Sequence, residues 1–183
     1  MKRIGTTLFA ALAAATLASA DAQALDPENT LYMDLKDGRV VIEMRPDLAP
    51  NHVTRIKELV REGFYDGLKF HRVIAGFMAQ TGDPHGDGTG GSGQKLKAEF
   101  SDEPHVRGTL SMARTQDPNS ADSQFFICFA SAPHLDGEYT VWGKVVEGMK
   151  YISKIKRGDP AANGAVVDPD KIIRMQVAAD AKE

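Results

Sequence analysis

The sequence predicts a mainly β fold, a closed eight-stranded antiparallel β-barrel capped by two α-helices. Three observations support this prediction. A hairpin pattern is followed by six further short strand-like runs, and only two stretches have helical spacing. The length of 183 residues, with 42% hydrophobic and 26% charged content, suits one globular domain. Many antiparallel strands with few helices favour a sheet that closes on itself, with a helix over each end.

The first elements are a hairpin and a helix. Between residues 30 and 44 apolar and polar residues alternate on both sides of Asp37-Gly38, which is a typical hairpin turn. Residues 50–62 then change to helical spacing, with Val53, Ile56 and Val60 on one face. Gly63 ends this helix.

The other elements follow in short runs. Strands are predicted at 69–74, 77–81, 109–113, 124–129, 140–146 and 171–177. A second short helix is predicted at 147–157, where Met149, Ile152 and Ile155 share a face before Gly158. The stretch 82–108 is glycine-rich and unpatterned. Because loops this long are uncommon in compact domains unless they are functional, we expect it to wrap the functional site.

The amino terminus has the pattern of a signal peptide. Lys2 and Arg3 precede an apolar run from residue 4 to 18 that lacks acidic residues, and small-x-small sites end at Ala20 and Ala24. The run is short for a membrane span, which needs about 20 apolar residues. We therefore expect residues 1–24 to be a signal peptide cleaved after Ala20 or Ala24, residues 25–183 to form one domain, and the product to be periplasmic or secreted without a membrane anchor.

The charge of the mature chain disfavours nucleic-acid binding. Removal of residues 1–20 takes away two of the 22 basic residues and none of the 25 acidic ones, which leaves a net charge of −5. No basic stripe remains that could contact a phosphate backbone.

Other classes of chemistry have weak signals. Residues 88–93, GTGGSG, match the spacing of a dinucleotide-binding turn, but no helix long enough to present its amino terminus follows. The five histidines are scattered without metalloprotease spacing, and no G-x-S-x-G is present, so neither a metal site nor a serine hydrolase is expected. Cys128 lies in an apolar run and is predicted to be a buried core residue.

Several ordered segments carry a resemblance to a known family. They are FHRVIAGFMAQTGD at 70–83, GTGG at 88–91, GTLSMA at 108–113, SQFFI at 123–127, LDG at 135–137 and VWGKV at 141–145. From about residue 30 to 177 the chain resembles the cyclophilin family of peptidyl-prolyl cis/trans isomerases. The resemblance implies a capped eight-stranded barrel, and an enzyme that accelerates rotation about X-Pro bonds without a cofactor or metal.

The chemistry of that reaction explains why such residues are needed. Resonance gives the peptide bond a rotation barrier of about 18–20 kcal/mol, and lowering it requires no nucleophile. It requires a dry pocket for the ring, a donor aimed at the proline nitrogen and hydrogen bonds to the flanking backbone. The resemblance assigns the donor to Arg72, whose guanidinium is always charged, and assigns Gln80 to orient either that guanidinium or the substrate carbonyl.

The remaining site residues are likewise implied by the resemblance. The predicted catalytic set is Arg72, Gln80, Phe77 and Phe126. Met78 and Leu135 complete the proline pocket with Phe77 and Phe126, whereas Phe125 points the opposite way into the core. Ala113, Arg114 and Thr115 would pair with the substrate through their backbone. The other predicted substrate contacts are His71, Gly88, Gln124, His134 and Tyr139.

Three positions depart from eukaryotic relatives. Animal members commonly carry Asn at the position of Arg114, and since the backbone makes that contact, activity is expected to survive. His134 occupies a position where many eukaryotic members carry Trp, and Tyr139 one where they carry His. We therefore expect turnover to be retained and binding of the inhibitor cyclosporin to be weak.

Three functions stay open from sequence. The first is a monomeric folding enzyme that acts on proline-containing exported polypeptides. The second is a module that binds such polypeptides without turnover, although such a module would not need Arg72. The third, a nucleotide-dependent enzyme, depends only on the glycine loop.

Overall fold

The computed structural model describes residues 24–182, so the predicted signal peptide, apart from Ala24, lies outside the described residues. All eight predicted strands are present, with bounds that are mostly shorter than predicted. They are β1 (Thr30–Leu35), β2 (Gly38–Met44), β3 (Arg72–Ile74), β4 (Met78–Thr81), β5 (Thr109–Met112), β6 (Phe125–Cys128), β7 (Val141–Glu147) and β8 (Arg174–Val177).

The strands form one antiparallel sheet that curls into a half-barrel. Their order is β3-β4-β6-β5-β7-β2-β1-β8, and every neighbouring pair is antiparallel. The two outer strands, β3 and β8, do not pair with each other. The prediction of a closed barrel is therefore wrong, although the prediction of eight antiparallel strands is confirmed.

A loop explains why the sheet stays open. The outer edge of β3 bonds to residues 158–166 instead of β8: the Val73 N–H donates to the Gly164 carbonyl at 2.8 Å, and the Gly158 N–H donates to the Val73 carbonyl at 2.9 Å. This close passage requires glycine at 164, where φ is +79° and a Cβ would lie 2.6 Å from the Ile74 side chain. Before β3 and β8 begin, the chain segments that lead into them meet at an isolated bridge between Lys69 and Lys171. There the Phe70 N–H donates to the Asp170 carbonyl at 2.9 Å.

Two helices cover the half-barrel. Helix α1 (Pro50–Arg61) matches its prediction and contacts β8, and helix α2 (Met149–Ile152) contacts β2. The second helix is shorter than predicted because Lys154 and Ile155 bond to carbonyls three residues back, in turns. Among residues 24–182, no helix combines the length and apolar character required to cross a bilayer.

Apolar residues separate into two clusters because strand side chains alternate between faces. The larger cluster fills the half-barrel and includes Phe125 and the fully buried Trp142. A smaller cluster on the outer face of the sheet contains Phe126 and Met78, with Phe77 and Tyr139 packed against it. The prediction that Phe125 is core and Phe126 points the opposite way is confirmed.

Candidate active site

Strand register aligns the predicted catalytic residues on the outer face of the sheet. Arg72 on β3 is the register partner of Gln80 on β4, and Gln80 is the partner of Phe126 on β6. Val73, the neighbour of Arg72, points the other way into the core. Pairing of three strands therefore brings a cation, an amide and an aromatic ring into one row, although Phe126 lies far from Arg72 and Gln80 in sequence.

These residues line a cleft of about 310 Å³ with both polar and apolar walls, called the main cleft below. Its lining residues are Arg72, Phe77, Met78, Gln80, Ala113, Arg114, Phe126, His134, Leu135 and Tyr139. All ten were among the predicted site residues. The structure therefore brings together most of the residues that were predicted for the site.

The other four predicted residues line two neighbouring clefts. Gly88, Thr115 and Gln124 contribute to a cleft of about 240 Å³, called the loop cleft, which shares Gln80, Ala113 and Arg114 with the main cleft. His71 and Gly88 line a third cleft of about 550 Å³ on the side of Asn163, which shares Arg72 and Gln80 with the main cleft. Burial lowers the pKa of His71, so its ring is neutral near pH 7.

The Arg72 guanidinium is fixed by neutral acceptors. Its Nη1 donates to Gln80 Oε1 at 3.2 Å, its Nε donates to the Asn163 carbonyl at 3.0 Å, and its Nη2 donates to Asn163 Oδ1 at 3.0 Å. A guanidinium has five N–H groups, so one on Nη1 and one on Nη2 remain available. It contacts no carboxylate within residues 24–182, and burial lowers the pKa of Arg72. The charge is therefore positioned but not neutralised.

Gln80 is held in turn by a relay of amides. Its Nε2 donates to Gln124 Oε1 at 2.9 Å, and Gln124 Nε2 donates to the carbonyls of Gly88 at 3.0 Å and Gly90 at 2.8 Å. The glycine loop thus fixes the Gln80 side chain, which fixes the guanidinium. This order of contacts gives Gly88 and Gln124 an indirect part in the site.

Asn163 is a site residue that the sequence analysis missed. It follows a short 3₁₀ turn at Pro160–Ala162 and has φ +53°, in the left-handed region that asparagine tolerates better than most residues. Half of its contact with Arg72 is made by its backbone carbonyl. The one signal in the sequence is Asn163-Gly164, a dipeptide typical of turns.

The glycine-rich loop is organised by two carboxylates. Asp83, which is 1% exposed, accepts backbone N–H groups from His85, Asp87, Gly88 and Gly90. Asp122 accepts the N–H groups of Ser92 and Gly93. Burial raises the pKa of Asp83, but the bonds from the backbone amides outweigh it and lower the pKa below its usual range. Amides that would have to bind a phosphate are already occupied, so the geometry disfavours a nucleotide site here.

A cluster of potential metal ligands and the single cysteine are both explained by their surroundings in the fold. Asp83, His85 and Asp87 lie close enough to suggest a metal site, but the four amide donors engage the Asp83 carboxylate. Cys128 is fully buried in the outer cluster, which confirms the prediction of a core residue, and burial raises its pKa to about 12. A thiol that stays protonated is a poor nucleophile.

Comparison with known proteins agrees with this geometry. The family model for cyclophilin type peptidyl-prolyl cis-trans isomerases matches residues 30–177. The chain is 60% identical over 173 residues to a probable peptidyl-prolyl cis-trans isomerase of Brucella suis, covering 88% of each chain. It is 46% identical over 133 residues to peptidyl-prolyl cis-trans isomerase B of Bacillus subtilis, covering 71% of this chain and 92% of that one.

Solved structures show the same fold. A cyclophilin from Hirschia baltica superposes with a TM-score of 0.77 at 29% identity, covering 86% of this chain and 77% of that one. A cyclophilin type isomerase of Cryptosporidium parvum, solved in the presence of the dipeptide Ala-Pro, gives a TM-score of 0.74 at 29% identity, with 81% and 98% covered. The chain therefore belongs to the cyclophilin family, and it is a peptidyl-prolyl cis-trans isomerase.

Proposed function

We propose that the main cleft is the active site, and that the isomerase acts there on X-Pro bonds of polypeptides that fold after export. The observation that carries the proposal is the Arg72 guanidinium, which is held by three hydrogen bonds at the edge of the main cleft and has two N–H groups that donate to no described residue. The Ala-Pro present with the Cryptosporidium relative supports a proline-containing ligand.

The chemical step needs only positioning and charge. As the C–N bond twists, resonance is lost and the proline nitrogen becomes pyramidal and basic. A free N–H of Arg72 donates to that nitrogen more strongly in the twisted state than in the planar one, which is the condition for catalysis. Because Gln80 and Asn163 already fix the guanidinium, it needs no reorganisation when the bond rotates.

The apolar walls hold the ring during rotation. Phe126 and Leu135 are nearly buried, and Phe77 is half-buried. They exclude water from the amide, which strengthens the hydrogen bond from Arg72 in the low dielectric of the cleft. None of these contacts depends on which isomer is bound, so the same cleft serves both directions of the reaction.

Among residues 113–115, the backbone leaves one N–H group for a substrate strand. The N–H of Ala113 donates to the Gln124 carbonyl and that of Thr115 donates to Ser120 Oγ, both at 2.9 Å. The Arg114 N–H makes no hydrogen bond within the described residues. We propose that the polypeptide pairs with the backbone at Arg114, which narrows the expectation that residues 113–115 all take part.

Export is the part of the proposal that depends on the amino terminus. Lys2 and Arg3, the apolar run behind them and the two small-x-small sites support a signal peptide. We expect the protein recovered from its native cell to begin at Asp21 or Leu25 and to fractionate outside the cytoplasm. Amino-terminal sequencing of the fractionated protein checks this. An intact Met1 in the cytoplasmic fraction would contradict the proposed site of action and leave the isomerase activity untouched.

A further inference from the structure

The Arg114 side chain makes more contacts than a residue that acts through its backbone would need. Its guanidinium carbon lies 4.4 Å from the centroid of the Tyr139 ring, which is within the range of a cation–π contact. The side chain is only 13% exposed, and it lines both the main cleft and the loop cleft. The guanidinium therefore forms part of the wall between the two clefts.

Hydrogen bonds from Arg114 join two loops. Its Nε and Nη2 donate to the Glu138 carbonyl at 3.1 and 2.9 Å, directly before Tyr139. Its Nη1 donates to the Thr115 carbonyl at 2.9 Å. The Glu138 carboxylate lies 3.8 Å from Arg114 Nη2, but the Glu138 side chain is 69% exposed, so this ion pair does little to hold the guanidinium. The planar fork of the guanidinium is what lets one side chain reach both loops, which lysine could not reproduce.

Tyr139 connects Arg114 to the aromatic wall of the main cleft. Its ring contacts Phe126 edge to face, with centroids 5.9 Å apart and an interplanar angle of 77°. Phe126 is 5% exposed and is therefore fixed from behind, whereas Tyr139 is only half-buried. Of the two rings, Tyr139 is the one whose position needs an outer support, and the Arg114 guanidinium lies over the Tyr139 ring.

We propose that Arg114 is a positioning residue whose side chain holds Tyr139 against Phe126, so that Arg114 and Tyr139 contribute to substrate binding as one unit. The inference rests on the proposed role of the main cleft. It corrects the expectation that only the backbone at Arg114 matters. It also connects two departures from eukaryotic relatives, since the Arg at 114 and the Tyr at 139 are in contact here.

A double-mutant cycle tests this unit. The kcat and KM on an X-Pro peptide are measured for wild type, Arg114→Met, Tyr139→Leu and the double variant. We expect each single change to lower kcat/KM at least about threefold, mainly by raising KM. A threefold effect is near the low end of the coupling that residues in contact show in double-mutant cycles. In the Tyr139→Leu background, Arg114→Met should cause no further loss. Equal losses in both backgrounds would overturn the proposal.

Matched variants separate positioning from general destabilisation. In a Tyr139→Phe background the ring face remains, so Arg114→Met should still lower kcat/KM. Arg107 also donates to a backbone carbonyl and to a serine, but outside the clefts, so Arg107→Met should leave kcat/KM unchanged. If Arg114→Met does not fold, Arg114→Lys replaces it in the cycle with the same expected dependence on Tyr139.

The cycle also distinguishes failure of the inference from failure of the proposed site. If Phe126→Ala and Tyr139→Leu both leave kcat/KM unchanged while the protein stays folded, the main cleft is not the active site. If both lower kcat/KM but the effect of Arg114→Met is absent or independent of Tyr139, only the positioning role is wrong.

Discussion

Replacement of Arg72 by alanine is expected to lower kcat/KM on an X-Pro peptide by roughly 10² to 10³-fold. The reason is the loss of one preorganised donor to the proline nitrogen, an interaction worth about 2.7–4 kcal/mol in the transition state. The fold should survive, because Arg72 is half-exposed and its partners Gln80 and Asn163 can bind water instead. Steady-state kinetics with a short peptide, alongside a thermal unfolding curve, checks both expectations.

Graded variants sharpen this prediction. Arg72→Lys keeps the charge but not the fork, so it should retain part of the activity. Asn163→Gly keeps the left-handed backbone and the carbonyl acceptor but loses the Oδ1 bond to Nη2, so its loss should be smaller than that of Arg72→Ala. Arg61→Ala is the matched control, since Arg61 bonds carboxylates away from the clefts. Turnover near the wild-type value in Arg72→Ala would contradict the proposed mechanism.

Replacement of His134 by tryptophan is expected to raise the affinity for cyclosporin by about 10- to 1,000-fold while changing peptide turnover little. His134 is exposed on the edge of the main cleft, 5.5 Å from Phe77 between ring centroids, so a larger ring fits without displacing the core. About 50 Å² of added apolar contact contributes on the order of 1 kcal/mol. An indole N–H that pairs an otherwise unpaired acceptor adds about 1–3 kcal/mol.

Titration calorimetry with wild type and His134→Trp measures this difference directly. His134→Phe separates the two contributions, because it restores apolar area without a donor and should recover only the smaller gain. Turnover is expected to persist since the proline ring contacts other residues of the cleft. Equal dissociation constants for wild type and His134→Trp would show that position 134 does not set the affinity for the drug.

Strand alternation predicted most of the sheet, whereas most of the site was implied by the resemblance to the family. The opposite directions of Phe125 and Phe126 follow from a two-residue period alone, and the structure confirms them. Roles for Arg72 and Gln80 came instead from resemblance, because a lone arginine on a strand is more often a surface residue. Their geometry depends on the pairing of β3 with β4, which the local pattern supports but does not determine.

Long-range contacts account for what was missed. Closure of the barrel depends on whether the outer edge of β3 hydrogen-bonds to β8 or to the 158–166 loop. The residue pattern of neither strand predicts which of these pairings forms. Asn163 reaches Arg72 partly through a carbonyl, which every residue carries, and through a backbone conformation that the sequence only suggests. The contact of Arg114 with Tyr139 joins two loops whose relative position is a property of the folded chain.

The most direct test of the central claim is exchange NMR spectroscopy of an X-Pro peptide with a catalytic amount of the purified protein comprising residues 25–183. Uncatalysed interconversion of the two isomers takes tens to hundreds of seconds. We predict cross-peaks between the cis and trans signals that grow within a fraction of a second and that weaken strongly with Arg72→Ala. Shifts of the peptide signals that demonstrate binding, with exchange no faster than in the free peptide, would contradict the account and favour a module that binds proline-containing chains without turning them over.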